Sequence, residues 1–124
     1  MSRKAKEFNF SYDKKNDDLF LYNPKSKSKG SIEIGDLIFD FNNKKELVGL
    51  QMMNASQMIK DLISDDKKDT ADEVVNNLKR CMIDIKYKNN LLIIRVYLTS
   101  KKNEISPIIS MPMHKELSPA LAYA

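Results

Sequence analysis

The feature that most constrains this chain is a two-residue alternation running from Phe8 to Ser56. Phe8, Phe10 and Tyr12 alternate with Asn9 and Ser11, and Asp18 to Tyr22 answers them across the polar stretch Lys14 to Asp17. Aromatic and branched residues on one parity, with acids and lysines on the other, describe antiparallel strands with one wet face. Asn23-Pro24 ends the second strand, because proline removes the donor that a continued ladder needs. The polar loop Lys25 to Gly30 follows. The apolar phase then runs Ile32, Ile34 and shifts to Leu37, Phe39 and Phe41, so a bulge or sharp bend is expected at Gly35. Leu47 to Met53 supplies a fourth strand. Ala55, Met58, Ile59, Leu62 and Ile63 fall at helical spacing, with Asn54 or Ser56 as N-cap.

The second half is read the same way. Ser64 to Asp69 holds no apolar residue and separates the halves. Thr70 and Glu73 have the spacing of a capping box, with Val74, Val75 and Leu78 behind them, so a second helix is expected to start near Ala71 and to carry Cys81 at the end of its stripe. Ile83, Ile85 and Tyr87 alternate with charged residues, Asn89-Asn90 makes a two-residue turn, and Leu91 to Thr99 returns. Both parities of that return are largely apolar, which predicts a central strand covered on both faces. Ile105 to Met113 adds an edge strand, confined there by Pro107 and Pro112.

The expected fold is therefore α+β, a single antiparallel sheet of six or seven strands with two short helices on one face. One domain suffices for 124 residues, since a chain of this size buries enough surface to hold a core unaided. It divides into a flexible basic tail (1–7), a ββββα half (8–63), an αβββ half (70–113) and a C-terminal tail (114–124). The lone Cys81 cannot form an internal disulfide and no apolar run follows Arg3, Lys4 and Lys6, so a cytoplasmic protein without membrane contact is expected. The net charge is +4, carried by lysine far more than by arginine. Sequence-specific DNA reading is thereby disfavoured, because arginine is the residue that reads base edges bidentately.

Certain residues resemble a known family, the domain of unknown function 2283 family of small bacterial and archaeal proteins. Tyr12, Asp13, Asp17, Leu19 and Phe20 fall on its opening pattern, and Asp40, Val48, Gly49, Leu50, Ala55 and Ser56 on its second block. The likeness covers roughly residues 8 to 63. Gln51 stands where the family commonly has Glu, Asn42 replaces a common turn Asp, and the usual turn Gly is absent from Lys44 and Lys45. The resemblance implies a small β-rich fold without an assigned activity. Members that sit beside small toxin-like proteins suggest, by association, an antitoxin or interaction role.

Candidate sites follow from residue type. Asp13, Asp17 and Asp40 are weak candidates for a divalent metal and hence a metal-dependent activity, but they lack a glycine-pinned calcium loop, and turn-capping explains them more simply. Lys25, Lys27 and Lys29, with Arg3, Lys4, Lys6, Lys14 and Lys15, are weak candidates for a rim holding single-stranded nucleic acid beside Phe8, Phe10 and Tyr12, against the simpler reading of solvated loops and a buried aromatic face. His114 and Cys81 are single examples of their kinds and make no credible nucleophile and base. Met52, Met53 and Met58 could form an adaptable surface, though such residues more often fill a core. The tail Leu117 to Tyr123 is apolar enough to seek a groove, its own or a partner's. With no catalytic set and no cofactor motif, the expectation is a non-enzymatic interaction module, a homodimer joined through sheet edges or apolar strand faces, with an unidentified protein partner as a further possibility.

Overall fold

A computed structural model describes residues 5–112. The strands are β1 Lys6–Asp13, β2 Asp18–Tyr22, β3 Gly30–Ile34, β4 Leu37–Phe41 and β5 Leu47–Met52, then β6 Leu78–Lys88, β7 Leu91–Ser100, β8 Glu104–Ile105 and β9 Ile108–Pro112. Between β5 and β6 lie α1 Ala55–Leu62 and α2 Lys68–Asn76, the latter entered through a single 3-10 turn at Asp65–Lys67. The spatial order is β3-β4-β5-β2-β1-β6-β7-β8, with β9 also paired to β7, and every pairing is antiparallel.

The α+β class and the antiparallel sheet agree with the sequence; the strand count is nine rather than six or seven. Two local causes account for the difference. Gly35 takes φ +56, so the expected bend is a two-residue hairpin in which Ile34 faces Leu37 and Ile32 faces Phe39. The phase shift in the sequence is the turn itself, and both sets stay on one face. At the far edge, Pro107 breaks the last strand in two: β8 pairs Leu98 with Ile105, and β9 pairs Ile94 with Ile109.

Helix α2 starts at Lys68 and stops at Asn76. Leu78 and Cys81 therefore belong to β6, because the residues after Asn77 enter the ladder with β7. A helical stripe and a strand both place an apolar residue at these intervals, and pairing with β7 decides between them. The capping box is also absent: the Thr70 hydroxyl donates to the Lys67 carbonyl, while Glu73 accepts from Ser100 Oγ at 2.8 Å and Asn103 Nδ2 at 2.9 Å. Glu73 thus ties α2 to the β7–β8 turn, and these bonds, with a further one from Asn77, hold its carboxyl below the ordinary range.

Strand β1 joins two half-sheets. Lys6 to Phe8 pair with β6, whereas Asn9 to Asp13 pair with β2. The inner face carries Phe8, Leu19, Leu21, Phe39, Leu50 and Met52 from one side and Ile83, Ile94, Val96 and Leu98 from the other, in one connected core with Ile59, Val74 and Val75 of the helices. The helices contact each other, and α2 lies on β7 and β8. On a flat sheet about 14 Å would separate β5 from β6, yet the Tyr87 hydroxyl reaches the Lys45 carbonyl at 3.4 Å. The sheet curls around its core.

β7 is central, as expected, but among the described residues only its inner parity is covered by a helix. On the outer parity Tyr97 is buried, Ile93 half-buried and Leu91 exposed. Ile34, expected on the covered side, is 48 % exposed because β3 is the last strand of its half-sheet. No helix among the described residues is long and apolar enough to cross a membrane.

Candidate functional site

Asp17 sits at φ +55 in the β1–β2 turn, a conformation aspartate tolerates better than most side chains. From there it reaches α1. The Ser56 N–H donates to both its carboxylate oxygens at 3.0 and 3.1 Å, Ser56 Oγ donates at 2.7 Å, and the Ala55 N–H donates to the Asp17 carbonyl at 2.8 Å. The Tyr12 hydroxyl completes the set at 2.6 Å from Oδ1. Asn54, expected as a cap, takes φ +53 and makes no capping bond; Ser56 is capped rather than capping. Burial alone would raise the Asp17 carboxyl, but the Tyr12 and Ser56 bonds and the Lys60 charge hold it below the ordinary range. Burial, then the Asp17 bond and charge, push the Tyr12 phenol up.

The other two aspartates have separate duties. Asp13 accepts from the Asn16 N–H and Nδ2 in the turn, and those bonds lower its pKa. Asp40 accepts from Ser31 Oγ and lies across from Gly49. A Cβ on Gly49 would stand 2.8 Å from Asp40 Oδ2 and 3.2 Å from Asp40 Cβ, so the glycine is what lets this carboxylate lie over β5. Among the described residues no group of three acid, histidine or cysteine side chains converges on a metal position. The aspartates are not brought together.

The lysines divide as well. Lys14 and Lys15 sit in the turn before β2, and Lys25, Lys27 and Lys29 in the loop after it, at opposite ends of a five-residue strand about 16 Å long. The loop end gathers cations that sequence separation conceals. The Asn23 N–H bonds the Val48 carbonyl and the Lys29 N–H the Phe41 carbonyl, which places Lys44 and Lys45 of the β4–β5 turn beside the loop. Register with β6 carries Lys6 to the same end. Tyr87, through Lys45, brings in Lys86 and Lys88. A signal existed in the readable β6–β7 hairpin, whose tip holds Lys86 and Lys88, but only pairing order shows which end it occupies.

Cys81 is fully buried, paired with Phe8 on one side and Leu98 on the other, and burial pushes its thiol up to about 12. Met52 is core, while Met53 and Met58 are half-buried. Arg3 and Lys4, His114 and the stretch Leu117 to Tyr123 lie outside the described residues.

A family model described as protein of unknown function (DUF2283) matches residues 9–56. The uncharacterized protein MJ0789 of Methanocaldococcus jannaschii is 32% identical over 96 residues, a span covering 76% of this chain and 76% of the relative. The chain belongs to the DUF2283 family. No solved structure matches it. The DUF2283 match begins at Asn9, where β1 passes from β6 to β2, and ends at Ser56, which Asp17 caps. It therefore spans one half-sheet together with the lock that seats α1. In the β4–β5 turn Lys45 holds φ +65, and Asn42 shapes the turn by accepting from the Lys44 and Glu46 N–H groups.

Proposed function

We propose that this DUF2283 protein is a non-enzymatic interaction module that self-associates through strand β3. The two edges of its sheet differ. The β8–β9 edge is interrupted at Pro107 and ends on Pro112, two residues without donors, whereas β3 has neither proline nor lysine among Gly30 to Ile34. Edges left without such protection invite another strand.

The observation that carries the reading is the hairpin register. A two-residue turn closes on a hydrogen-bonded pair, here Ile34 and Leu37, and such pairs alternate along the ladder. Ser31 and Glu33 consequently direct their N–H and C=O groups away from β4. Two copies related by a twofold axis satisfy these groups when Ile32 faces Ile32 and Ser31 of each copy bonds Glu33 of the other. That register sets no carboxylate against a carboxylate and places the exposed Ile34 opposite Gly30.

The test is light scattering coupled to size exclusion. A dimer is expected at about 0.5 mM, since so short an interface binds weakly. Glu33→Pro removes an outward donor without touching the β3–β4 ladder and is expected to give a folded monomer. A wild-type monomer at that concentration, or a dimeric Glu33→Pro, counts against the proposal.

A further inference from the structure

Charge is unevenly distributed over this molecule. Six carboxylates lie between Asp61 and Glu73, on and around the helices. The opposite end of the half-sheet, built from segments 23–30, 42–46 and 85–91 and the start of β1, has two carboxylates among the described residues, Glu46 and Glu7, and Glu7 is already paired with Arg80. Against them stand Lys25, Lys27 and Lys29 from the loop, Lys44 and Lys45 from the turn, Lys86 and Lys88 from the hairpin tip, and Lys6. All but Lys45 are exposed. Among the described residues none of these lysines forms an ion pair, the three ion pairs lying elsewhere at Lys60–Asp72, Lys68–Asp65 and Arg80–Glu7.

Eight like charges at one end repel one another, with Lys45 held among them at φ +65. Glu46 does little to relieve this: the Asn42 side chain occupies it first, with Lys6 and Lys44 acting from farther off. Something of opposite charge would lower that energy. Tyr87 narrows its chemistry. The residue is 61 % exposed, next to the Asn89-Asn90 tip, and its hydroxyl lies 3.4 Å from the Lys45 carbonyl. An exposed aromatic ring held among unpaired lysines combines a stacking surface with phosphate contacts, the combination by which single strands are gripped without base reading. Among the described residues these segments carry no arginine, the side chain suited to bidentate base recognition.

We infer that this lysine end, formed by the β2–β3 loop, the β4–β5 turn and the β6–β7 tip, binds single-stranded nucleic acid through its phosphates, with one base stacked on Tyr87. Lys14 and Lys15 take no part.

Fluorescence anisotropy with a labelled oligothymidylate of about fifteen nucleotides, using the full chain, tests the inference. If about five lysines meet phosphates, log K falls against log salt with a slope near −3.5, about a hundred-fold between 50 and 200 mM. Lys25→Glu with Lys27→Glu, or Lys44→Glu with Lys45→Glu, is expected to weaken binding at least ten-fold and flatten the slope. Tyr87→Ala is expected to weaken it about ten-fold at unchanged slope, with Tyr87→Phe restoring it. Lys14→Glu with Lys15→Glu should change little. No binding at 50 mM salt overturns the inference, as does equal loss from the Lys14 and Lys15 reversals. Competition by polyglutamate as effective as by the oligonucleotide at equal charge also overturns it, assigning this end to acidic proteins instead.

Discussion

The Tyr12 hydroxyl donates to Asp17 Oδ1 at 2.6 Å, and the same carboxylate caps Ser56, thirty-nine residues further along the chain. One turn residue thereby fixes the strand before it and the helix that follows the half-sheet. Residues that carry the family resemblance at both ends of the matched segment are physically one unit.

Removing that carboxylate should unseat α1. Asp17→Ala leaves the Ser56 N–H and Tyr12 hydroxyl without their acceptor, and loss of a cap plus a charge-assisted bond costs about 2–3 kcal/mol. Tyr12→Phe should cost about 1 kcal/mol. Urea denaturation of both single variants and the double variant should show them strongly non-additive.

The same pair sets a pH dependence at each limb. Asp17 is depressed in the folded state relative to its ordinary 3.8, so its contribution is present above about pH 4 and is lost as the pH falls through the folded value. Tyr12 is raised above 10.0; its contribution is present below pH 10 and is lost as the pH rises towards the folded value. Buried Cys81 adds to the alkaline loss from about pH 9 upward. Denaturation midpoints across pH should show Asp17→Asn removing part of the acid limb and Tyr12→Phe part of the alkaline one.

Gly49 and Asp40 form the second coupled pair. Gly49→Ala puts a methyl 3.2 Å from Asp40 Cβ and should destabilise by about 1–3 kcal/mol, an overpacking cost. Asp40→Gly removes the three atoms nearest the methyl, so the double variant should lose less than the sum of the two single changes. Thermal denaturation of the set is the check.

How much of this was legible in the sequence depends on separation along the chain. The β1–β2 and β6–β7 hairpins could be read because their turns declare themselves: Asn89 and Asn90 take φ +51 and +64, as a two-residue turn requires. One glycine at a phase shift signals a bulge and a sharp bend equally, and pairing of Ile34 with Leu37 makes Gly35 part of a two-residue hairpin turn. Leu78 and Cys81 fit a helical stripe as well as a strand until β7 claims them. Asp17 was visible as a turn residue, whereas its hold on Ser56 depends on β5 returning beside β2. The lysine end is legible in part: the loop lysines and Lys6 stand out in the sequence, whereas Lys44, Lys45, Lys86 and Lys88 join them only through strand order.

Lys45→Gly tests the turn directly. Glycine adopts positive φ without the steric cost a lysine bears, so this change should stabilise the fold by about 0.5–1 kcal/mol in urea denaturation while weakening any anion binding at that end.

The most direct measurement is amide hydrogen exchange at Ser31 and Glu33 as a function of protein concentration. Their N–H groups point away from β4 and gain a partner only when a second β3 docks. Protection of both that rises from about 10 µM to about 1 mM is the predicted result, as weak edge pairing requires. Fast exchange at both residues throughout, with Ile32 and Ile34 protected as usual, would contradict it.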